Sequence, residues 1–201
     1  MIKNIKLFKM RLRQKYRTLR ENMKKDEKQI MDKKILDKVS ILNKYKESET
    51  VFTYVSKEIE VDTWGLITKC LSENKKVAVP ACIKENRTMD FYFINSKNDL
   101  EKGMFGLLEP IKEKCEKVND FSEGLCIVPG FCFDYKGYRL GYGYGYYDRF
   151  LQRFGGTTVG ICYSKYIIPQ LPHGKFDRPV DILITDQYIK EIQSTKKAGL
   201  R

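Results

Sequence analysis

The densest chemical signal in the chain is a glycine-rich run, Arg139-Leu-Gly-Tyr-Gly-Tyr-Gly-Tyr-Tyr-Asp148. Gly141, Gly143 and Gly145 alternate within it. Glycines this close suit neither helix nor strand. They permit positive φ and let backbone N–H groups approach a ligand. Behind them, Tyr146, Tyr147, Phe150, Leu151 and Phe154 fall at helical spacing, so the loop should open a helix. Its N–H groups then lie at the positive end of that helix, which suits phosphate. Tyr146 stands where a G-x-G-x-x-G dinucleotide fingerprint needs glycine, and no Gly-Lys-Ser/Thr follows as in a P-loop. Arg139 could grip phosphate oxygens, and Asp148 could take Mg²⁺. A tight turn with a helix-start carboxylate is the plainer alternative.

Composition narrows the chemistry. The chain has 201 residues, with 38 Lys+Arg against 26 Asp+Glu and a net charge of +12. At 42% hydrophobic and 12% aromatic it is not a disordered sequence. No run of 18 apolar residues could span a membrane. Cys70, Cys82, Cys115, Cys126, Cys132 and Cys162 form no C-x-x-C pair, and His173 is the lone histidine. A Cys/His zinc site is therefore not expected, and any metal needs oxygen ligands, which points to Mg²⁺. Charge interrupts the apolar residues of the first seventeen positions, so no secretory segment is expected there. Reduced thiols and a cytoplasmic location follow as expectations.

The elements that must position the loop are legible in outline. Residues 1–50 carry net +9. Within them Ile5, Phe8, Leu12, Tyr16, Leu19 and Met23 form one helical face, and Met31, Ile35, Val39 and Leu42 another. Two amphipathic helices with basic wet faces are predicted. Six short apolar runs then read as strands: 51–55, 77–79, 91–94, 126–128, 159–163 and 181–185. A helix over 61–72, capped by Asp62 or Thr63, separates the first two. Strand, helix, strand at this spacing predicts a βαβ unit and a largely parallel sheet. No linker divides the chain, so one domain over 1–201 is expected.

At this point the residues meet a known family. Val128-Pro-Gly-Phe-Cys-Phe-Asp134 followed by Gly137-Tyr-Arg-Leu-Gly-Tyr-Gly-Tyr-Gly-Tyr-Tyr-Asp-Arg-Phe-Leu151 closely resembles 5-formyltetrahydrofolate cyclo-ligase. Lys9-Met-Arg-Leu-Arg13 is similar to its N-terminal K-x-x-L-R element. Glu60-Val-Asp-Thr63, Phe105-Gly-Leu-Leu-Glu-Pro110 and Asp177-Arg-Pro-Val-Asp181 resemble three further segments, in the family's order. The resemblance implies an α/β fold, a three-layer sandwich with a mostly parallel, mixed, Rossmann-like central sheet. It implies an ATP- and Mg²⁺-dependent cyclisation of 5-formyltetrahydrofolate to 5,10-methenyltetrahydrofolate, with ADP and phosphate released. The formyl oxygen would be phosphorylated to an iminium phosphate, which the folate N10 then attacks.

The same resemblance implies roles. Arg139 and Lys9 would be catalytic. Lys9, Arg13, Arg139, Leu140, Gly141, Tyr142, Gly143, Tyr144, Gly145, Tyr146 and Tyr147 would bind ATP. Lys6 replaces Lys9 if the helix register slips. Val55, Glu60, Phe105, Tyr142 and Tyr144 would bind the folate, with Glu60 on the pterin N–H groups. Asp148 and Asp177 would hold Mg²⁺, with Asp181 a weaker candidate. His173 and the cysteines receive no role. One departure stands out: Tyr142 and Tyr144 occupy positions where some relatives carry Arg or Lys. The loop itself then supplies no cation. The expected partners are ATP and the folate, with no specific nucleic acid, no membrane and a monomeric state. Two other readings remain open: a member acting on another ATP-activated amide, and a basic nucleic-acid-binding protein. The second would rest on the charge of residues 1–50, which alone supports only nonspecific binding.

Overall fold

The computed structural model describes residues 4–192, apart from the side chain of Phe105. Three helices come first: α1 (Ile5–Glu21), α2 (Lys25–Ile41) and the short α3 (Asn43–Glu47). Asn4 caps α1, its side-chain oxygen accepting from Leu7 N–H at 2.9 Å. Helix α2 buries Met31, Ile35 and Val39, as their spacing predicts. Helix α1 departs from its predicted face. It buries Tyr16 and Arg20, while Ile5 and Leu19 stand 50% and 44% exposed. The inner stripe runs Phe8, Leu12, Tyr16, Arg20, steps of four along the helix. An arginine ends it because its head group meets backbone carbonyls there.

The rest of the chain builds three sheets. In order come β1 (Thr50–Phe52), α4 (Trp64–Ser72), β2 (Lys76–Ile83), β3 (Thr88–Ile94), β4 (Leu100–Lys102), β5 (Leu108–Pro110), β6 (Leu125–Val128), β7 (Cys132–Asp134), β8 (Arg139–Leu140), α5 (Tyr146–Arg153), β9 (Thr157–Ile161), β10 (Ile167–Ile168), β11 (Ile182–Ile184) and β12 (Ile189–Glu191). The central sheet has seven strands in the order β12-β11-β9-β6-β1-β2-β3. Its inner pairs are parallel, and both edge pairs, β2–β3 and β11–β12, are antiparallel. The mixed, mostly parallel sheet therefore matches the expectation. All four residues of β6 are buried, as a strand covered on both faces requires. A β10-β7-β8 sheet and a β4–β5 hairpin are additions that the sequence did not announce.

Connectivity sets the layers. The chain steps from β1 through α4 to β2 in one direction across the sheet. It steps from β6 through α5 to β9 in the other. Right-handed crossovers in opposite directions place α4 and α5 on opposite faces, which gives three layers. Both Asp62 and Thr63 mark the start of α4. Thr63 is the N-cap residue, but the Asp62 carboxylate accepts from Trp64 and Gly65 N–H at 3.3 and 3.2 Å.

Phe52 anchors the α5 face. Its ring centroid lies 5.1 Å from that of Phe154, 5.3 Å from Phe91 and 6.2 Å from Phe150, and Phe52 is 1% exposed. Alternation along the strand turns Val51, equally buried, to the opposite face. Truncation of Phe52 to alanine is expected to lower the unfolding free energy by about 3–5 kcal/mol, read by urea denaturation. A loss below about 1 kcal/mol would place the principal core elsewhere.

Candidate active site at the sheet reversal

The two crossover directions diverge between β1 and β6, which are neighbours. Loops leaving the carboxyl ends of these strands must splay apart, and open α/β sheets bind ligands in the crevice this makes. Here it is a cleft of about 960 Å³. The chain leaving β1 contributes Tyr54, Val55 and Glu60; the chain leaving β6 contributes Pro129 and Gly130. The strand predicted over 51–55 ends at Phe52 for this reason. Thr53 N–H still donates to Ala78 C=O at 2.9 Å, but Tyr54 and Val55 turn away to form the wall.

The β7–β8 hairpin delivers the glycine loop to this cleft. Its tight turn is held by Asp134, which is fully buried. The carboxylate accepts from Lys136, Tyr138 and Leu171 N–H groups at 2.9, 3.0 and 2.9 Å. Beyond β8, Arg13 of α1 fixes the loop. Its Nε donates to Gly141 C=O at 2.8 Å. Residue 143 must be glycine, because φ is +100° and a Cβ there would lie 2.9 Å from Arg13 Cζ. Gly145, at φ +78°, begins α5 with no side-chain cap. The first N–H groups of α5 therefore face a ligand without competition from a capping side chain.

Two ion pairs occupy the floor beside the loop. Arg139 Nη2 lies 2.8 Å from Asp148 Oδ1, and Arg139 Nη1 donates to Arg178 C=O at 3.2 Å. Lys9 Nζ lies 2.9 Å from Asp177 Oδ2, which also accepts from Gly174 N–H at 2.9 Å. Burial pushes the Asp177 carboxyl up, but the Lys9 ammonium and the Gly174 N–H outweigh it and hold the group below its ordinary value. All four side chains line the cleft. Lys6 is exposed on α1, so the register places Lys9, not Lys6, at the site. Asp181 is away from it: its Oδ2 accepts from Thr158 N–H and Oγ1 at 2.8 and 2.7 Å.

The other end of the cleft is organised around Glu60, which is 9% exposed. Its Oε2 accepts from Lys57 N–H at 2.9 Å and its Oε1 from the Tyr142 hydroxyl at 3.0 Å. Burial raises the Glu60 carboxyl above its ordinary value, and these two donors and Arg20 oppose that rise. Tyr142 packs on Phe131 with ring centroids 4.7 Å apart. The Tyr147 hydroxyl is buried in the wall with no hydrogen-bond partner among the described residues.

Apart from the weaker candidate Asp181, the structure brings together every predicted site side chain it describes. Lys9, Arg13, Val55, Glu60, Arg139, Leu140, the run 141–147, Asp148 and Asp177 all line one cleft. The Phe105 side chain lies outside the described residues; its backbone sits in the 3-10 turn Met104–Gly106 before β5. Tyr146 and Tyr147 pack on the core, as helical spacing suggested, yet also reach the cleft. His173 stacks on Tyr138 at 3.7 Å, a packing role. Cys82 lines the cleft, but burial pushes its thiol to about 12, so it stays a thiol. Sequence reasoning missed Arg17, Lys57, Arg87, Arg149 and Phe176, which also line the cleft. No motif singled them out; only their proximity does.

Comparison with known proteins identifies the family. A 171-residue stretch is 31% identical to a Schizosaccharomyces pombe protein named "Probable 5-formyltetrahydrofolate cyclo-ligase", covering 77% of this chain and 83% of that one. A Mus musculus 5-formyltetrahydrofolate cyclo-ligase is 28% identical, covering 73% of this chain and 78% of the mouse protein. Among solved structures, 5,10-methenyltetrahydrofolate synthetase of Aquifex aeolicus superposes with a TM-score of 0.80 at 33% identity, over 96% of each chain. The model of the 5-formyltetrahydrofolate cyclo-ligase family matches residues 5–186, and the chain belongs to that family.

Proposed function

We propose that this protein converts 5-formyltetrahydrofolate to 5,10-methenyltetrahydrofolate, with ATP consumed and ADP and phosphate released. One observation carries the reading. A single cleft holds a buried carboxylate, Glu60, at one end and a glycine loop flanked by Arg139 and Lys9 at the other. The carboxylate suits the N–H groups of a pterin. The loop and its cations suit a triphosphate.

The chemistry needs both ends at once. A formamide oxygen is a poor leaving group. Phosphoryl transfer from ATP onto it gives an iminium phosphate, and N10 of the same folate attacks the activated carbon. Phosphate departs with the oxygen, N10 gives up its proton to solvent, and the ring closes. Phosphoryl transfer asks a protein chiefly for positioning and charge stabilisation. Arg139, fixed by Asp148 and the Arg178 carbonyl, presents its guanidinium to the phosphate oxygens. Lys9 adds a point charge, and the amides at the start of α5 add oriented dipoles. Glu60 orients the pterin so that the formyl oxygen faces the loop. The Tyr147 hydroxyl, kept protonated because burial raises it well above its ordinary value, offers one more donor in the wall.

Magnesium fits the donor set. Among the described residues no three His, Cys, Asp or Glu side chains cluster as a metal cage. Asp148 and Asp177 offer two hard carboxylates beside the phosphate region, the way Mg²⁺ is held when substrate phosphates complete its shell. Bound there, Mg²⁺ would neutralise charge on the transferring phosphoryl group.

The direct test mixes purified protein with 5-formyltetrahydrofolate, ATP and Mg²⁺ and follows the absorbance of the methenyl product. Product should form only when ATP and Mg²⁺ are both present; a folded protein that binds ATP yet forms none would refute the assignment. Arg139→Ala should lower kcat about 100-fold, whereas Lys9→Ala should raise the KM for ATP about tenfold. Glu60 should leave its mark on pH dependence. It must be ionised to accept pterin N–H groups, so kcat/KM for the folate should fall as pH drops through its raised value. That acid limb should lie above the ordinary glutamate value of about 4.3. Glu60→Gln should remove the limb and raise the folate KM with little change in the KM for ATP. An unaltered limb in this variant would assign the titration to another group.

A further inference from the structure

The reaction described above uses Lys9 and Arg13 of α1 but leaves Arg20 on the same helix without a part. Arg20 is 5% exposed, rare for arginine. Its partners are three backbone carbonyls and, at 3.7 Å, the Cys162 sulfur, not a carboxylate. Nη1 donates to Ile59 C=O at 2.9 Å. Nη2 donates to Gly130 and Phe131 C=O at 2.8 and 3.0 Å, and Nε to Phe131 C=O at 3.3 Å. The guanidinium also lies over the rings of Tyr163 and Tyr166, at 5.4 and 5.1 Å from their centroids.

These carbonyls are not scattered. Ile59 precedes Glu60 on the segment that leaves β1. Gly130 and Phe131 lie on the segment that leaves β6, and Phe131 supports the ring of Tyr142. One planar fork therefore joins the two lips of the crevice at its carboxylate end. Only a guanidinium presents donors in that fixed spread; an ammonium reaches fewer carbonyls from one point. The positive charge is held in the interior, where it is weakly screened.

We infer that Arg20 is a positioning residue for the folate end of the site, fixing Glu60 against Tyr142 by stapling the two loops and supplying Glu60 with a buried counter-charge. The inference rests on the reading of Glu60 as the pterin-binding carboxylate. The charged and titratable groups that face Glu60 are Tyr54, Lys57, Tyr142, Tyr147 and Arg20. Of these, Lys57 and Arg20 carry positive charge; the Lys57 backbone N–H and the Tyr142 hydroxyl favour ionised Glu60 most, and of the two side-chain charges that of Arg20 acts more strongly than that of Lys57. A residue that merely packs the fold would affect both substrates alike. A staple at one end of the cleft should not.

Arg20→Gln and Arg20→Lys separate the two contributions, assayed in the full chain against wild type. Arg20→Gln removes both fork and charge. It should raise the folate KM about tenfold or more while the KM for ATP stays within about twofold. Its acid limb for folate kcat/KM should move to higher pH, because Glu60 loses a cation that favours ionisation. Arg20→Lys keeps the charge but not the fork, so the limb should stay and the folate KM should still rise. Proportional loss toward both substrates, or an unmoved limb in Arg20→Gln, would overturn the inference. Should Arg20→Gln fail to fold, Arg20→Lys decides alone: an unchanged folate KM overturns the staple. Wild-type protein that turns over no 5-formyltetrahydrofolate would instead defeat the reading of the site itself.

Discussion

A parallel sheet that winds in opposite directions from β1 and β6 cannot close over its own reversal point. Everything around the site answers that constraint. The gap gives the ligands a place, but it also leaves two loops without strand neighbours. Helix α1 supplies the missing support. Lys9, Arg13, Tyr16 and Arg20 follow one another by three or four residues and so share a face. Lys9 meets Asp177, Arg13 holds the Gly141 carbonyl, and Arg20 joins the lips near Glu60. At 1.5 Å per residue, Lys9 to Arg20 spans roughly 16 Å. One rigid element thus sets the separation between the phosphate end and the carboxylate end. Phosphoryl transfer between two bound molecules tolerates little error in that distance.

Some of the molecule was legible in the sequence and some was not, for physical reasons. The βαβ order and the mostly parallel sheet follow from short β-branched and aromatic runs, which only a strand buried on both faces explains well. The glycine loop announced itself because three glycines in that spacing have few other uses. Helix α1 misled for a physical reason. Its basic residues look like a solvated face, and its apolar residues suggest a stripe through Leu19. In the fold Leu19 is exposed and Arg20 is buried. Nothing in the string of Lys and Arg marks one of them as the residue that meets four hydrogen bonds to carbonyls. Lys9 was separated from Lys6 only by resemblance, and then by its contact with Asp177. The β4–β5 hairpin and β12 escaped notice because Glu101, Lys102 and Ile189–Glu191 are exposed, so no hydrophobic alternation records them.

The electrostatics of the phosphate end also follow from the fold. Two cations and two carboxylates meet there as two pairs, Lys9 with Asp177 and Arg139 with Asp148. The Arg139 side chain is 5% exposed, and an unpaired charge at that depth would be costly. Pairing keeps the cations in place before any phosphate arrives. Under the proposed function, phosphate binding would then be an exchange: an incoming oxyanion would compete with a carboxylate for each cation. A divalent cation would, under the same proposal, resolve that competition, because Asp148 and Asp177 would hold it while Arg139 and Lys9 faced the phosphate. The net local charge of the four side chains is zero, so long-range attraction for anionic substrates falls to the remaining basic surface.

Tyr142 ties this exchange to the other end of the cleft. The sequence resemblance sets a cation at this loop position in some relatives. Here the residue is aromatic, and its hydroxyl donates to Glu60 instead. The ring lies on Phe131, whose carbonyl is held by Arg20, and its backbone is bracketed by Gly141 and Gly143, both in contact with Arg13. Under the proposed function, the loop that would surround ATP therefore carries a side chain that completes the binding group of the folate. Movement of that loop toward a phosphate would then change the number of donors on Glu60, and protonation of Glu60 would weaken the charge-assisted hydrogen bond from Tyr142. The two ends share a hydrogen bond, so neither can be altered without the other registering it.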